Sequence, residues 1–331
     1  MKGQRVTRKL TTGSERRANT RISSRPSSGL KTLTTGLFIA VALLMTGSTA
    51  FLYKNGIDPV EFYSNLANPY MKFVTVPAGL RREEIAERFA QVLSWNQSDI
   101  TEFIKTAPSD DRGFLDGYYL PGSYWVKTTA TGAEVAHQML RNFNTQVSER
   151  ILDKGSVETL GSSSNTSSKS DKKTLSKERK INLDTAVRIA ALIQKEAAGP
   201  ADMKLISGVI WNRIFKGMTL DIDATLQYAK ANQLASAETS DGGISASTTF
   251  DWWPNPQSKD KFIDSPFNTY ENKGLTPIAI ANPSINAINA AFNPAKTDCL
   301  FYLHDNNGKI HCSNNYQAHK DNVQKYLVGR R

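Results

Sequence analysis

The carboxyl group of Glu196 is the side chain of this sequence that is best placed for acid–base chemistry. It lies near the end of the stretch 186–198, AVRIAALIQKEAA, which a Gly-Pro pair closes. Seven apolar residues cover most of this helix: Ala186, Val187, Ile189, Ala190, Ala191, Leu192 and Ile193. A helix that is apolar nearly all round is buried, and burial raises the pKa of a carboxyl group toward the range of a general acid. The alternative is a solvated last-turn glutamate beside Lys195.

Three histidines and a cysteine near the C-terminus form the other candidate chemical cluster. They are His304, His311, Cys312 and His319. Their spacing fits no zinc-binding pattern, and the histidines are interpreted as structural. The sequence therefore predicts neither a metal nor a cofactor.

The Glu196 helix is expected to open a mixed α/β domain over residues 181–331. Asp184 is its predicted N-cap. Helices are predicted over 203–215, 284–292 and 316–327. Residues 231–262 are interpreted as a polar excursion in which Trp252 and Trp253 are exposed.

A smaller α+β domain is predicted over residues 70–153. A strand at 73–76, a Pro-Ala-Gly turn and a helix at 82–92 open it, and a turn-rich segment covers 115–124. Two further helices are predicted at 100–105 and 133–149. The opening resembles small glycan-binding LysM-type modules, and the alternative is an unrelated small α+β domain. Residues 154–180, rich in Ser, Lys, Thr and Asn, are interpreted as a flexible linker.

The positive charge of the chain is concentrated at its N-terminus. The formal net charge is +10, and residues 1–31 contain nine basic residues and one acidic residue. The basic excess is therefore a tail, predicted to be disordered, and no nucleic-acid partner is expected.

The 22 residues 32–53 carry no charge. They are predicted to form a transmembrane anchor, because about 20 apolar residues cross a bilayer. The basic tail places the N-terminus in the cytoplasm and everything after a short stalk, 54–69, outside. A cleaved signal peptide is the alternative.

The two cysteines, Cys299 and Cys312, are expected to be free thiols. Residues 300–303 and 309–312 are predicted strands joined through an Asn-Gly pair, a signal for a two-residue type I′ turn. In that register Cys312 faces Leu303, and Cys299 lies about four positions further along, roughly 13 Å away at strand rise. An extracytoplasmic compartment would otherwise permit a disulfide.

Short motifs follow one another in a specific order along the chain. They are Val76–Leu80, Gly117–Pro121, Leu192–Glu196, Asn212-Arg213, Gly217–Leu220, Asp223–Thr225, Ser265–Tyr270, Gly274-Leu275, Pro277-Ile278, Ala281–Pro283, Asn293-Pro294, His311 and His319. Their joint order and spacing resemble the endolytic murein transglycosylase family (YceG-like, MltG), which are membrane-anchored lytic enzymes of peptidoglycan. The resemblance covers roughly residues 70–327 and the anchor topology, and it implies an α+β fold.

The resemblance implies that Glu196 is the catalytic acid/base. Family members usually have an acid-Lys-Glu triplet here, whereas this chain has Gln194 in the first position. Ala224 and Thr276 stand where the family tends to have proline, and Ser284 where glycine is usual. These departures are expected to affect loop geometry, and the Gln194 change implies that one carboxylate suffices.

The implied reaction cuts glycan strands between N-acetylmuramic acid and N-acetylglucosamine. Protonated Glu196 donates to the glycosidic oxygen and then accepts the proton of the muramic acid C6 hydroxyl, which attacks C1. Ordinary glycosidases need two carboxylates, whereas here the nucleophile belongs to the sugar.

Four other residues are candidates for substrate binding. Asn268 and Tyr270 would contact sugar acetamido or hydroxyl groups, Tyr270 also by stacking, or they serve a tight turn. Asp223 is a second carboxylate or a helix cap. Arg213 pairs with Asp202 or Asp223, or contacts substrate carboxylates.

The resemblance also implies the partners and the location. We expect peptidoglycan glycan strands, the inner membrane and cell wall synthases as partners, with the catalytic domain outside the membrane limiting the length of nascent strands. Two other functions stay open: a non-catalytic peptidoglycan-binding scaffold, and a muramidase that hydrolyses with Asp223 as its second carboxylate.

Overall fold

The computed structural model describes residues 46–54, 57–106, 116–147, 151, 181–240 and 250–328. The predicted basic tail, most of the predicted anchor and the linker at 154–180 lie outside these residues. In the described part of the chain, residues 46–54 are helical, and no helix there is long and apolar enough to cross a membrane. The chain divides into two compact units, Met1–Ser64 and Asn65–Arg331.

The secondary structure of the described residues is a mixture of helices and two small sheets. The helices are α1 (Pro59–Leu66), α2 (Arg82–Leu93), α3 (Gln97–Lys105), α4 (Gly132–Val147), α5 (Leu183–Glu196), α6 (Met203–Phe215), α7 (Asp223–Ser240), α8 (Ile285–Phe292) and α9 (Tyr316–Val323). The strands are β1 (Met71–Val76), β2 (Gly122–Lys127), β3 (Phe301–His304) and β4 (Ile310–Ser313). Short 3₁₀ turns cover Asp116–Tyr118 and Ser258–Phe262, and a π turn covers Gln324–Val328. The mixed α+β class predicted from the sequence is confirmed.

Strands β1 and β2 pair antiparallel, from Met71 opposite Lys127 to Val76 opposite Gly122. The sequence predicted β1 but not β2, because the glycine and proline that precede β2 signal a turn. Helices α2, α3 and α4 cover the sheet, and Phe89, Phe103 and Phe143 are wholly buried among them.

The loop after β1 joins this sheet to the C-terminal part of the same unit through Asn282. The amide of Asn282 accepts from the backbone N–H of Leu80 at 2.7 Å and donates to the carbonyl of Pro77 at 3.0 Å. Its backbone also exchanges hydrogen bonds with Gly79 and Leu80. Gly117 packs so closely that a Cβ there would lie 2.3 Å from Val187 Cγ1. The described parts of residues 65–331 accordingly share one hydrophobic core, and the predicted boundary at 154–180 falls outside the described residues.

Helix α7 extends into the segment that was expected to be a polar excursion. It runs to Ser240, so the first ten residues of the expected excursion at 231–262 continue the helix. Trp252 was expected to be exposed but is buried, and Trp253 is half-buried. Arg81 explains the burial of Trp252, because its guanidinium lies 4.6 Å from the centre of that ring.

The C-terminal hairpin corrects the prediction of free thiols. Cys299 and Cys312 form a disulfide, with Cα atoms 5.8 Å apart. The predicted two-residue turn is one residue short: Gly308 N–H donates to the Asp305 carbonyl, and Gly308 has φ 73°, as in a three-residue loop with a G1 bulge. This loop places Cys312 opposite Tyr302 instead of Leu303. The strand pairing begins at Phe301, and the chain before Phe301 brings Cys299 close to Cys312.

Candidate active site

Helix α5 carries Glu196 at its C-terminal end. All seven apolar residues predicted to surround the helix are wholly buried, so the predicted buried helix is confirmed. The N-cap is Asn182, whose side chain accepts from Thr185 N–H at 2.7 Å. The predicted cap, Asp184, lies in the first turn and pairs with Arg188 at 2.8 Å. The helix therefore begins two residues earlier than the predicted cap indicated.

The carboxyl group of Glu196 is half-buried and accepts one hydrogen bond from a side chain. The donor is the Tyr302 hydroxyl on β3, 2.7 Å from Glu196 Oε2. Within the part of the chain that the structure describes, no basic side chain forms an ion pair with this carboxyl group. Glu196 is therefore held by a neutral donor on one oxygen, which leaves Oε1 for other contacts.

Several groups act on the pKa of Glu196, and the net result is a raised pKa. Burial is the largest cause, because it disfavours the ionised form. The Tyr302 hydrogen bond opposes burial, the charge of Asp223 adds to the rise, and His304 and Arg213 lower it. A raised pKa keeps more of the carboxyl group protonated near neutral pH, as a general acid requires.

The two residues before Glu196 point to other parts of the structure. Gln194 Oε1 accepts from the backbone N–H of Ser284 at 3.0 Å, next to the start of α8. Lys195 Nζ lies 3.3 Å from the centre of the Trp253 ring, and burial lowers its pKa. The role of Gln194 is therefore structural and requires only a hydrogen-bond acceptor. The oxygen of an amide meets this requirement as well as a carboxylate oxygen does.

The backbone that follows Glu196 is held by Asp202. Its carboxylate accepts from Ala198 N–H at 3.1 Å and from Gly199 N–H at 3.2 Å. His304 Nε2 lies 2.6 Å from Asp202 Oδ2. These bonds fix the turn after α5, and therefore the direction in which the helix presents Glu196.

Asp223 and Tyr270 form a second polar pair at the site. The Tyr270 hydroxyl donates to Asp223 Oδ1 at 2.6 Å, and Asp223 is exposed at the first turn of α7. Burial and this hydrogen bond raise the pKa of Tyr270, and the charge of Glu196 contributes to the rise. The electrostatic coupling of both residues to Glu196 places them in its neighbourhood.

Arg213 and Asn268, two predicted substrate-binding residues, are engaged inside the protein. Arg213 donates to the carbonyls of Leu300 at 2.7 Å and Leu220 at 2.8 Å, and it pairs with Asp221 at 2.9 Å. Its partner is therefore Asp221 rather than Asp202 or Asp223.

Asn268 is wholly buried. It donates to the carbonyls of Lys261 and Ile263, each at 2.9 Å, and accepts from Tyr270 N–H at 3.0 Å. The structure brings Tyr270 and Asp223 to the neighbourhood of Glu196, whereas Arg213 and Asn268 hold the loops around it.

The C-terminal histidines lie in separate contacts. His304 contacts Asp202, His311 pairs with Asp305 at 2.9 Å, and His319 stacks on Phe301 at 5.4 Å. Among the described residues, no group of three or more His, Cys, Asp and Glu side chains is arranged to hold a metal ion.

Tyr302 is the residue at this site that the sequence analysis did not select. A signal was present in part, because Tyr302 lies on the predicted strand 300–303 and His304 directly follows it, two residues from Tyr302, so that the two share one face if the strand continues. Nothing in the sequence indicated that this face meets the end of α5.

Two concave regions of the described structure lie away from Glu196. The first, about 610 Å³, is lined by Trp211, Phe215, Phe292 and their neighbours. The second, about 430 Å³, is lined by residues that include Arg81 and Tyr228. Neither lining includes Glu196, Tyr302 or Asp223.

The sequence of this chain is similar to those of known proteins. The model of the YceG-like family matches residues 39–325. A protein of Streptococcus pneumoniae serotype 2 (strain D39 / NCTC 7466), named endolytic murein transglycosylase, is 24% identical over 302 residues, 83% of this chain and 47% of its own length. A protein of Bacillus subtilis (strain 168) with the same name is 30% identical over 217 residues, 65% of this chain and 49% of its own. The chain thus spans about half the length of the curated relatives it matches.

A solved structure resembles the fold. The crystal structure of a yceG-like protein from Listeria monocytogenes superposes with a TM-score of 0.55 at 22% identity, covering 75% of each chain. This likeness supports the architecture of the chain alone, and the chemistry of the site follows from its residues.

Proposed function

The chain belongs to the YceG-like family, and on that premise we propose that it is a membrane-anchored endolytic transglycosylase of peptidoglycan. The names of the curated relatives support this reaction class. The observation that carries it is the Glu196 carboxyl group, whose pKa is raised by burial and whose Oε1 is left for substrate.

The proposed reaction uses Glu196 twice. In its protonated form Glu196 gives its proton to the glycosidic oxygen as the bond between that oxygen and C1 of N-acetylmuramic acid breaks. The resulting carboxylate takes the proton of the C6 hydroxyl of the same sugar while O6 bonds to C1. Glu196 is protonated again at the end, a 1,6-anhydro ring has formed, and no water is consumed.

One carboxylate is sufficient for this chemistry because the nucleophile is already attached to the reacting sugar. A hydrolase instead needs a second carboxylate to activate water. Asp223 is the candidate for that role, since its charge acts on Glu196, but one of its oxygens is occupied by Tyr270. A hydrolytic muramidase is therefore the second candidate, and the mass of the products separates the two.

The location is part of the proposal. The uncharged residues 32–53, preceded by the basic tail, are proposed to anchor the chain in the cytoplasmic membrane with the catalytic region outside. Residues 70–153 are proposed to act as a LysM-like glycan-binding region. An anchored enzyme of this kind would cut nascent strands near the membrane, beside cell wall synthases, and so limit strand length.

The test is digestion of uncrosslinked glycan strands by the 331-residue chain, followed by mass spectrometry of the products. Wild type is expected to give internal cuts with 1,6-anhydro ends, lighter by one water than hydrolytic ends. Glu196→Gln is expected to lower the rate by about 10³-fold while binding to strands persists, because the amide cannot supply the proton. Glu61→Gln, at an exposed position on α1, is the matched control and should keep full activity.

Three outcomes contradict the proposal in different ways. Full activity of Glu196→Gln removes the catalytic role of Glu196. Products that carry an added water indicate the muramidase. Strand binding without any cleavage by wild type indicates the scaffold.

A further inference from the structure

We propose that Tyr302 is the positioning residue of the catalytic carboxyl group: its hydroxyl holds Glu196 Oε2, so that Oε1 carries the proton and faces the substrate. This inference deepens the proposed function and rests on it. The hydrogen bond is 2.7 Å long, and within the described chain Tyr302 is the only side chain that donates to Glu196.

The first step concerns the protonation state of the Tyr302 hydroxyl. Burial and the neighbouring Glu196 carboxylate raise the pKa of Tyr302 well above that of a free phenol. Tyr302 therefore keeps its proton across the working range of pH, and in the structure its hydroxyl donates this proton to Glu196 Oε2. Because a neutral carboxyl group has one carbonyl oxygen and one hydroxyl oxygen, a donor fixed at Oε2 makes that oxygen the carbonyl and leaves the proton on Oε1.

The second step is the rigidity of the strand that carries Tyr302. The residues just before β3 are held by α6: Arg213 donates to the Leu300 carbonyl at 2.7 Å, and Asn212 donates to the carbonyls of Thr297 at 2.7 Å and Cys299 at 3.0 Å. The disulfide joins Cys299 to Cys312, the residue opposite Tyr302 on β4. The hydroxyl is thus placed by a strand that is fixed on both sides.

The third step is a second contact from the same strand. His304, on the same face of β3 as Tyr302, contacts Asp202, and Asp202 binds the N–H groups of Ala198 and Gly199. Strand β3 therefore holds both the side chain of Glu196 and the backbone that follows it. A tyrosine that contacted only the Glu196 side chain would leave the backbone after α5 unrestrained. Contacts to both the side chain and this backbone fix the carboxyl group relative to the helix.

The fourth step concerns pH. The Tyr302 hydrogen bond lowers the pKa of Glu196 against the effect of burial, as do His304 and Arg213, while Asp223 raises it. If the Tyr302 bond is removed and the other groups remain, the pKa of Glu196 rises further. The protonated form of Glu196 then persists to higher pH. The basic limb of the plot of rate against pH therefore moves to higher pH, although the maximum rate falls.

The experiment compares Tyr302→Phe with wild type on glycan strands across pH. We expect kcat to fall about 10- to 100-fold, because the proton is no longer fixed on one oxygen, with KM changed less than about 3-fold. The basic limb of kcat/KM against pH should move to higher pH. The matched control is Tyr63→Phe on α1, which removes a hydroxyl that shares a 2.6 Å hydrogen bond with Ser48, and it should change neither kcat nor the pH of the basic limb.

A second measurement does not depend on turnover. The pKa of the Glu196 carboxyl group is read by ¹³C NMR in wild type and Tyr302→Phe, with Glu196→Gln used to assign the signal. A higher pKa in Tyr302→Phe supports the inference. An unchanged pKa, or a basic limb that stays in place, overturns it.

The two arms separate the failure of the inference from the failure of the proposed function. If wild type makes no anhydro product, the proposed function fails and the NMR arm alone decides the role of Tyr302. If wild type is active and Tyr302→Phe matches it in kcat, the proposed function stands and the positioning role is wrong.

Discussion

The carboxyl groups of Glu196 and Asp116 can be compared because each accepts a hydrogen bond from a tyrosine hydroxyl and each has a raised pKa. Tyr302 donates to Glu196 at 2.7 Å, and Tyr228 donates to Asp116 at 2.8 Å. Burial raises the pKa of both carboxyl groups, that of Asp116 to about 6. By these criteria alone the two sites look equally suited to acid catalysis.

The surroundings of the two groups differ. Asp116 is wholly buried, and Arg82 lies 3.5 Å from its second oxygen. Arg81 and Glu83 complete a compact ionic cluster, bonded to each other at 3.1 Å. Glu196 is half-buried and has no basic partner among the described residues. A buried tyrosine–carboxyl pair therefore does not by itself identify a catalytic acid; the two groups differ in access to solvent and in the presence of a basic partner.

The position of the Asp116 cluster explains its composition. Asp116 lies in the 3₁₀ turn before β2, Arg82 begins α2, and Tyr228 lies on α7. The cluster thus ties the small sheet to the helix that begins at Asp223. Its charges compensate one another in a buried region, which is a structural role.

The sharpest test of this contrast is to remove each carboxyl group. Asp116→Ala is expected to lower the free energy of unfolding by about 3–5 kcal/mol, because it leaves buried arginine charge without its compensating carboxylate. Glu196→Ala should cost less than about 1 kcal/mol, since only one hydrogen bond at a half-buried group is lost. Urea denaturation of both variants measures the difference, and equal losses would break the comparison.

The disulfide allows a test of strand β3, the element that carries Tyr302 at the Glu196 site. Replacing both cysteines, Cys299→Ser with Cys312→Ser, should lower stability by about 3 kcal/mol, since the bond closes a loop with a sequence separation of 13. Activity of the folded fraction should also fall, because β3 carries Tyr302. The measurement is denaturation and strand digestion with and without dithiothreitol. The double variant is its own control, and any further loss on reduction there would point away from the disulfide.

The smallest expected effect is on the pH dependence of stability. The pKa of Asp116 is raised to about 6 in the folded protein, so its contribution to stability is fully present below the ordinary pKa of aspartate and is lost as pH rises through 6. Wild type should lose about 1–2 kcal/mol from pH 4 to pH 7 relative to Asp116→Asn, which cannot ionise. Thermal melts of both chains across this range measure it, and parallel pH profiles would contradict the raised pKa.

Patterns that repeat along one element could be predicted. The apolar residues around α5 predicted its burial, and the bounds predicted for α6 agree with the structure at both ends. Both strands of the C-terminal hairpin were predicted to within one residue. Such features depend on local periodicity, which the sequence contains.

Features that depend on one residue of register or on a partner from a distant segment could not be predicted. A loop one residue longer than the Asn-Gly signal suggested moved Cys312 from Leu303 to Tyr302, and the path of the chain before Phe301 brings the Cα atoms of Cys299 and Cys312 to 5.8 Å. The same one-residue shift cannot be read from turn composition, because Gly308 suits both turn types.

The sequence by itself determined the helix that carries Glu196 and the burial of that helix. Only the tertiary structure decided that Tyr302 holds this carboxyl group, that Asp223 bonds to Tyr270, and that Arg213 and Asn268 hold loops. The physical reason is that burial follows from the composition of one segment, whereas a hydrogen bond requires two segments, 106 residues apart for Glu196 and Tyr302, to meet within about 3 Å.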